Sequence, residues 1–299
     1  MRAEIDWNVI AASARAEAGL ELEPGRVRSV GGGCIHETFR VDARGGPCCV
    51  KVNDRSHAEL FESEADGLQA LARAEVIRVP QVLARGVTEN LAYLALEWIE
   101  LGTPDTHARR LLGEQLAALH RHTNERYGWH RDNAIGRTLQ PNTWSTSWVD
   151  FMRERRIGVQ LELAARHGYA QQLQPRSNRL LSVLDRLLVD HSQPPASLLH
   201  GDLWGGNWLA DQQGRPVLFD PAVHYGDREA DLAMTELFGG FGAAFYEAYG
   251  EAWPLDEGYA VRRDLYQLYH VLNHLNLFGG SYLSSAQRLI DGLLSAAGA

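Results

Sequence analysis

With 299 residues, 45% of them hydrophobic and 22% charged, the chain has the apolar material for one large domain or two lobes of an ordinary globular protein. Its formal net charge of -9 argues against nucleic acid or an anionic membrane as the main partner. Three cysteines cannot make a disulfide framework, "MRAEIDWNVI" lacks the make-up of a secretory signal, and no uncharged apolar run approaches the roughly 18 residues of a membrane span, so a cytoplasmic, monomeric protein is expected.

In chain order, "RVRSV", "ETFRV", "PCCVKV", "VPQVLARGV" and "LAYLALEWIE" have the β-branched or alternating character of strands, and "GVTENL" reads as a hairpin loop between the last two. A helical pattern, "SHAELFESEADGLQALARA", interrupts them, with Ser56 as its expected N-cap. From about residue 104 the periodicity turns helical, in "HARRLLGEQLAALHRH", "SWVDFMRERRIGVQLELAARH", "RSNRLLSVLDRLLVD" and most of 227–297. The expected fold is α+β. A small N-terminal lobe, residues 1–100, holds an antiparallel sheet and one helix; a larger, mainly helical lobe, residues 101–299, follows. Ligand sites favour the clefts of such arrangements.

Three segments carry chemistry. In "SVGGGCIHETFRV", Gly31, Gly32 and Gly33 remove every Cβ from a turn between strands, which suits either a tight turn or close approach of backbone N–H groups to phosphates. No G-K-[ST] follows, so a Walker-type loop is excluded. The second segment holds Lys51, the one lysine among 29 basic residues, set inside the apolar run "CCVKV". Lysine is depleted in strands and costly to bury alone. On the following helix Glu64 shares the face of Leu60, Phe61 and Leu68, where a carboxylate needs a cation, and Lys51 is the natural partner. In the third segment, residues 197–234, Asp202 and Asn207 have the spacing of the Asp and Asn in the protein-kinase H-R-D-x-x-x-x-N loop, and Asp220 ends the next strand, where the D-F-G aspartate falls. Here H-G-D replaces H-R-D, and D-P-A replaces D-F-G.

These residues resemble the kinase-like small-molecule phosphotransferases. "GGGCIHETFRV", "HGDLWGGNW" and "DPAVHYGDREADLAM", with "FESEADGLQAL", "GRTLQPNTW", "SWVDFMRERR" and "FGGFGAAFYEAYG", are similar to the fructosamine (ketosamine-3-kinase) family over nearly the whole chain. The resemblance implies a two-lobed kinase fold and ATP-dependent phosphorylation of a ketosamine 3-hydroxyl, the start of deglycation. It implies that Gly31, Gly32 and Gly33 cover the phosphates, that Lys51 holds them and that Glu64 orients Lys51. Backbone from Glu97 to Ile99 would take the adenine, Asp202 would be the catalytic base, and Asn207 and Asp220 would be Mg²⁺ ligands. Kinases of other small alcohols, aminoglycosides or choline-like amino alcohols, are the alternative, although they usually lack the "DLWGGN" and "YGDREAD" details.

Other residues have two readings. His200 either touches substrate or, as favoured, holds the loop. Trp204 either stacks on a sugar or packs; Trp208 is expected in the core. Asp227 reads as a helix cap and Asp231 as a brace for the catalytic loop, while His120 is expected to be a core or surface histidine. Cys34, beside the glycine loop, is either a small apolar filler or, as the resemblance implies, a thiol open to oxidation or to bridging with Cys34 of a second molecule in an oxidised dimer. Cys48 and Cys49 are expected to be buried.

Overall fold

In the computed structural model, which describes residues 5–31 and 36–299, the apolar runs of the first hundred residues pair into one antiparallel sheet. Its strands are β1 (Leu22–Val30), β2 (Glu37–Ala43), β3 (Gly46–Asp54), β4 (Val82–Val87) and β5 (Leu91–Glu97), laid side by side in the order β1-β2-β3-β5-β4. The two-residue period of β3 explains its odd composition. Cys48, Val50 and Val52 turn into an apolar cluster with Ile10 and Ala14, so Lys51 must face the other side of the sheet. There lies α2 (Ala58–Arg73), which buries Phe61, Leu68 and Leu71.

Two local expectations are corrected. The sheet is accompanied by two helices, not one, because α1 (Trp7–Ala18) precedes it and supplies Ile10 and Ala14 to its core. The Asp6 side chain accepts from the N–H groups of Asn8 and Val9 to open α1, a cap signal that the polar composition of "ASARAEA" obscures. Ser56 is not the N-cap of α2. Asp54 accepts from both the N–H and the hydroxyl of Ser56, closing a short 3₁₀ turn over Arg55–His57 from which α2 continues.

The chain divides into two compact units, Met1–Ala108 with Leu209–Pro221, and Arg109–Trp208 with Ala222–Ala299. The first therefore includes most of the hairpin formed by strands Trp208–Asp211 and Pro216–Leu218, whose first strand pairs with Leu101–Gly102. Arg78 fastens this hairpin. Its guanidinium donates to Asp211 Oδ2 at 2.7 Å and to Glu97 Oε1 at 2.6 Å, while its C=O accepts from the N–H of Leu218.

The second unit is built on the long helix Tyr259–Phe278, which buries Leu265, Tyr266, Leu268, Tyr269 and Leu272. A three-stranded sheet within it joins His224–Gly226, Ala196–Leu199 and Thr123–Asn124 in that order. The segment from Trp148 widens over Phe151–Ile157 into π-helical turns. Among the described residues no helix is long and apolar enough to cross a membrane.

His224 and His270 lie wholly inside this unit, and burial pulls both imidazoles down to about 3. Both stay neutral in the fold but bind protons once unfolded, so the stability they contribute is present above pH 6.5 and is lost as pH falls below it. Urea denaturation at pH 7, 6 and 5 is expected to show stability falling by up to about 3 kcal/mol per pH unit at the acid end. His270→Leu should flatten that slope.

Candidate active site

In the first unit, Lys51 Nζ is 2.6 Å from Glu64 Oε1 and also contacts Asp220 Oδ1. β3 and α2 position the first pair, and the strand Pro216–Leu218 delivers Asp220 just beyond its end. Asp220 takes the left-handed backbone conformation, with φ of 51°, which aspartate tolerates better than most residues. The Lys51 and Glu64 side chains are each 11% exposed, whereas that of Asp220 is 54% exposed. Burial alone would push the Lys51 ammonium down, but Asp220 and Glu64 outweigh it and hold its pKa above the ordinary lysine value. Burial lifts Glu64 above the usual carboxylate range, against the pull of Lys51. One firmly held cation thus faces two carboxylates.

Gly31 is exposed at the end of β1, while Gly32, Gly33 and Cys34 lie outside the described residues. At the far end of the sheet the Glu97 side chain is taken up by Arg78 and by the N–H of Gln81. Among the described residues, no backbone hydrogen bond takes up the N–H or C=O of Ile99. Cys48 is buried as expected, but Cys49, on the Lys51 face, is only half-buried; burial raises both thiols, Cys49 to about 11.

The second unit holds Asp202, Asn207, His200 and Trp204. Asn207 Nδ2 donates to the backbone O of Asp202 at 2.8 Å and to its Oδ2 at 3.3 Å. This fixes the amide so that its oxygen, a hard donor, remains for another partner. Asp231 braces the loop, as expected, by accepting from the N–H groups of His200 (2.7 Å) and Gly201 (2.8 Å), with His120 Nε2 at 3.2 Å. Burial would raise Asp231, but the hydrogen bond from His120 and its other donors hold the carboxyl below its ordinary value. Gly201 has φ of +84°, and a Cβ there would meet the Ala222 oxygen at 2.1 Å, so glycine is required in the H-G-D step.

The substrate role considered for His200 is corrected. Its ring is fully buried and its Nδ1 accepts from the Asp202 N–H at 3.3 Å, so it serves the loop and has no open face. Trp208 is core, packed on Phe241, whereas Trp204 is 41% exposed. The Trp204 ring lies folded over Gly206, where a Cβ would come within 2.3 Å of it. Asp227 caps the helix Arg228–Leu237 through the Glu229 N–H. His191, Glu229 and Asp256 approach closely enough for a metal, but Arg262 already donates to both oxygens of Glu229.

Sequence reasoning missed Arg78 and Asp211. Their partnership spans 133 residues, and nothing in "VIRVP" distinguishes this arginine from the others.

The family model for fructosamine kinase matches residues 6–296. A protein of Synechocystis named probable ketoamine kinase is 43% identical over 95% of this chain and 95% of its own. An Arabidopsis thaliana protein named protein-ribulosamine 3-kinase, chloroplastic, is 40% identical over 90% of this chain and 82% of its own. The crystal structure of a candidate fructosamine-3-kinase from Haemophilus somnus superposes with a TM-score of 0.87 at 31% identity, covering 96% of this chain and 97% of that one. The fold is that of the protein-kinase-like phosphotransferases.

The close packing of Trp204 on Gly206 predicts energetic coupling between them. Gly206→Ala should cost about 1–2 kcal/mol in chemical denaturation, and the same change in a Trp204→Ala background should cost almost nothing.

Proposed function

The chain belongs to the fructosamine kinase family, and from that premise we propose that it transfers the γ-phosphoryl group of ATP to the 3-hydroxyl of a ketosamine, the first step in removing a sugar from a glycated amine. The observation that carries the reading is the buried Lys51 ammonium held between Glu64 and Asp220.

In this reaction the substrate oxygen bonds to phosphorus as the bond to the ADP oxygen breaks, and the hydroxyl proton leaves. Lys51 supplies a compact point charge suited to phosphate, and Glu64 keeps it aimed. The backbone of Ile99, two residues beyond Glu97, makes no backbone hydrogen bond among the described residues and has the donor and acceptor character that an adenine edge requires. Asp202 accepts the hydroxyl proton, and the hydrogen bond from Asn207, with Asp231 holding the preceding His200 and Gly201 backbone, limits its motion. Gly31, with Gly32 and Gly33, remains the proposed cover for the phosphates. The exposed Trp204 face is a surface on which a sugar can stack.

Mg²⁺ fits the donor chemistry. The carboxylate of Asp220 and the free amide oxygen of Asn207 are hard oxygen ligands, and the ion would neutralise phosphate charge. The proposed setting is cytoplasmic.

A kinase assay against fructosamine, ribulosamine and erythrulosamine adducts, with aminoglycosides and choline as controls and the product position read by NMR, is the direct test. Turnover of the controls alone would sink the ketosamine reading.

Lys51→Met should lower kcat/KM for ATP by about 100-fold or more. Because it strands the Glu64 carboxylate, Lys51→Met/Glu64→Gln is the cleaner variant, removing both charges together. Near-normal kcat/KM in the pair would overturn the nucleotide role.

Asp202→Asn should abolish most turnover yet keep Mg·ATP affinity in isothermal titration, whereas Asp220→Asn should weaken that affinity. Equal losses in the two would undo the division of roles.

A further inference from the structure

Arg156, from the "FMRERR" stretch, is the least accommodated charge in the second unit. Its residue is 2% exposed, yet its hydrogen bonds go only to neutral oxygens: the backbone of Pro141 (2.7 Å) and Arg155 (3.0 Å) and Asn142 Oδ1 (2.7 Å). The Phe151 ring lies 4.4 Å from the guanidinium carbon. A guanidinium has five N–H donors, and Nε has no partner among the described residues. On the helix Tyr259–Phe278, His270 is 4% exposed and its Nδ1 also has no partner. Buried unpaired donors and acceptors are rare and costly, and two around one space call for a common explanation.

Both residues line the same cavity, whose walls also include Leu199 and Gly201 of the strand and loop that lead to Asp202. The space open to the centre of a water-sized sphere is about 20 Å³, and by that measure roughly 10–15 Å³ suffices for one molecule. Burial lowers Arg156 to about 10 and His270 to about 3, so at neutral pH the guanidinium is charged and the imidazole neutral. The missing partner must accept from Arg156 and either donate to or accept from His270, depending on the tautomer. Water does both. A halide only accepts, and it would sit in a cavity that Asp231 also lines.

We propose that Arg156 Nε and His270 Nδ1 hold one ordered water molecule in this cavity. The water links the "FMRERR" segment to the long helix behind the His200–Asp202 loop, and it gives the buried Nε–H of Arg156 an acceptor.

A high-resolution crystal structure of the full chain, from crystals grown in sodium bromide, tests this directly. The expected result is one oxygen-like peak within about 3.2 Å of both atoms and no anomalous bromine signal there. A bromine peak, no peak, or direct pairing of either nitrogen with a protein group would overturn it. Deuteron magnetic relaxation dispersion provides a second readout. His270→Phe should lose one long-lived internal water relative to the parent, and Arg156→Lys serves if that variant fails to fold. An unchanged count in the variant that folds would also overturn the proposal.

Discussion

The first unit turns on one interaction, the convergence of Glu64 and Asp220 on the ammonium of Lys51. A lysine on a strand whose alternate residues fill an apolar cluster is tolerable only if its other face offers opposite charge. α2 offers Glu64 from its buried stripe, and the hairpin after Trp208 offers Asp220. The two carboxylates have different surroundings. Glu64 is enclosed and can do little but orient Lys51, while Asp220 is half open and held by a residue whose charge a phosphate can share.

What the sequence made legible follows from how local the signal was. The Lys51 and Glu64 pairing could be inferred because both sit in regular elements with periods of two and 3.6, so their facing was fixed by counting. The closeness of Asn207 to Asp202 was legible because five residues of loop separate them, and the structure joins them by hydrogen bonds. What escaped was either capped by a neighbour or distant in the chain. α1 has weak periodicity and is recognisable mainly from Asp6 before it. The start of α2 was misplaced because Asp54 and Ser56 are both good caps, and only backbone geometry decides between them. Arg78 could not be singled out, since an arginine that ties Glu97 to Asp211 looks in sequence like any other arginine.

At His200 burial decides between the two readings that the sequence left open. A histidine two residues before the aspartate proposed as the base invites a chemical role, yet the strand Ala196–Leu199 carries it directly into the interior. The residue that meets solvent instead is Trp204, beyond the turn, and Gly206 lets its ring lie flat there.

The loop around Asp202 owes its shape to a buried carboxylate rather than to its own sequence. Asp231 sits in the first turn of the helix Arg228–Leu237, where the helix dipole favours negative charge, and His120 supplies a further donor. Its oxygens take the N–H groups of His200 and Gly201, the His200 carbonyl accepts from the Ala222 N–H, and the Ala222 oxygen leaves no room for a Cβ at Gly201. Each constraint would tolerate some drift alone. Acting on two successive residues from two sides, they leave the backbone one conformation. The Asp202 side chain then receives a hydrogen bond from Asn207, so the group proposed to meet the substrate hydroxyl is held in part by the residue proposed to meet the metal.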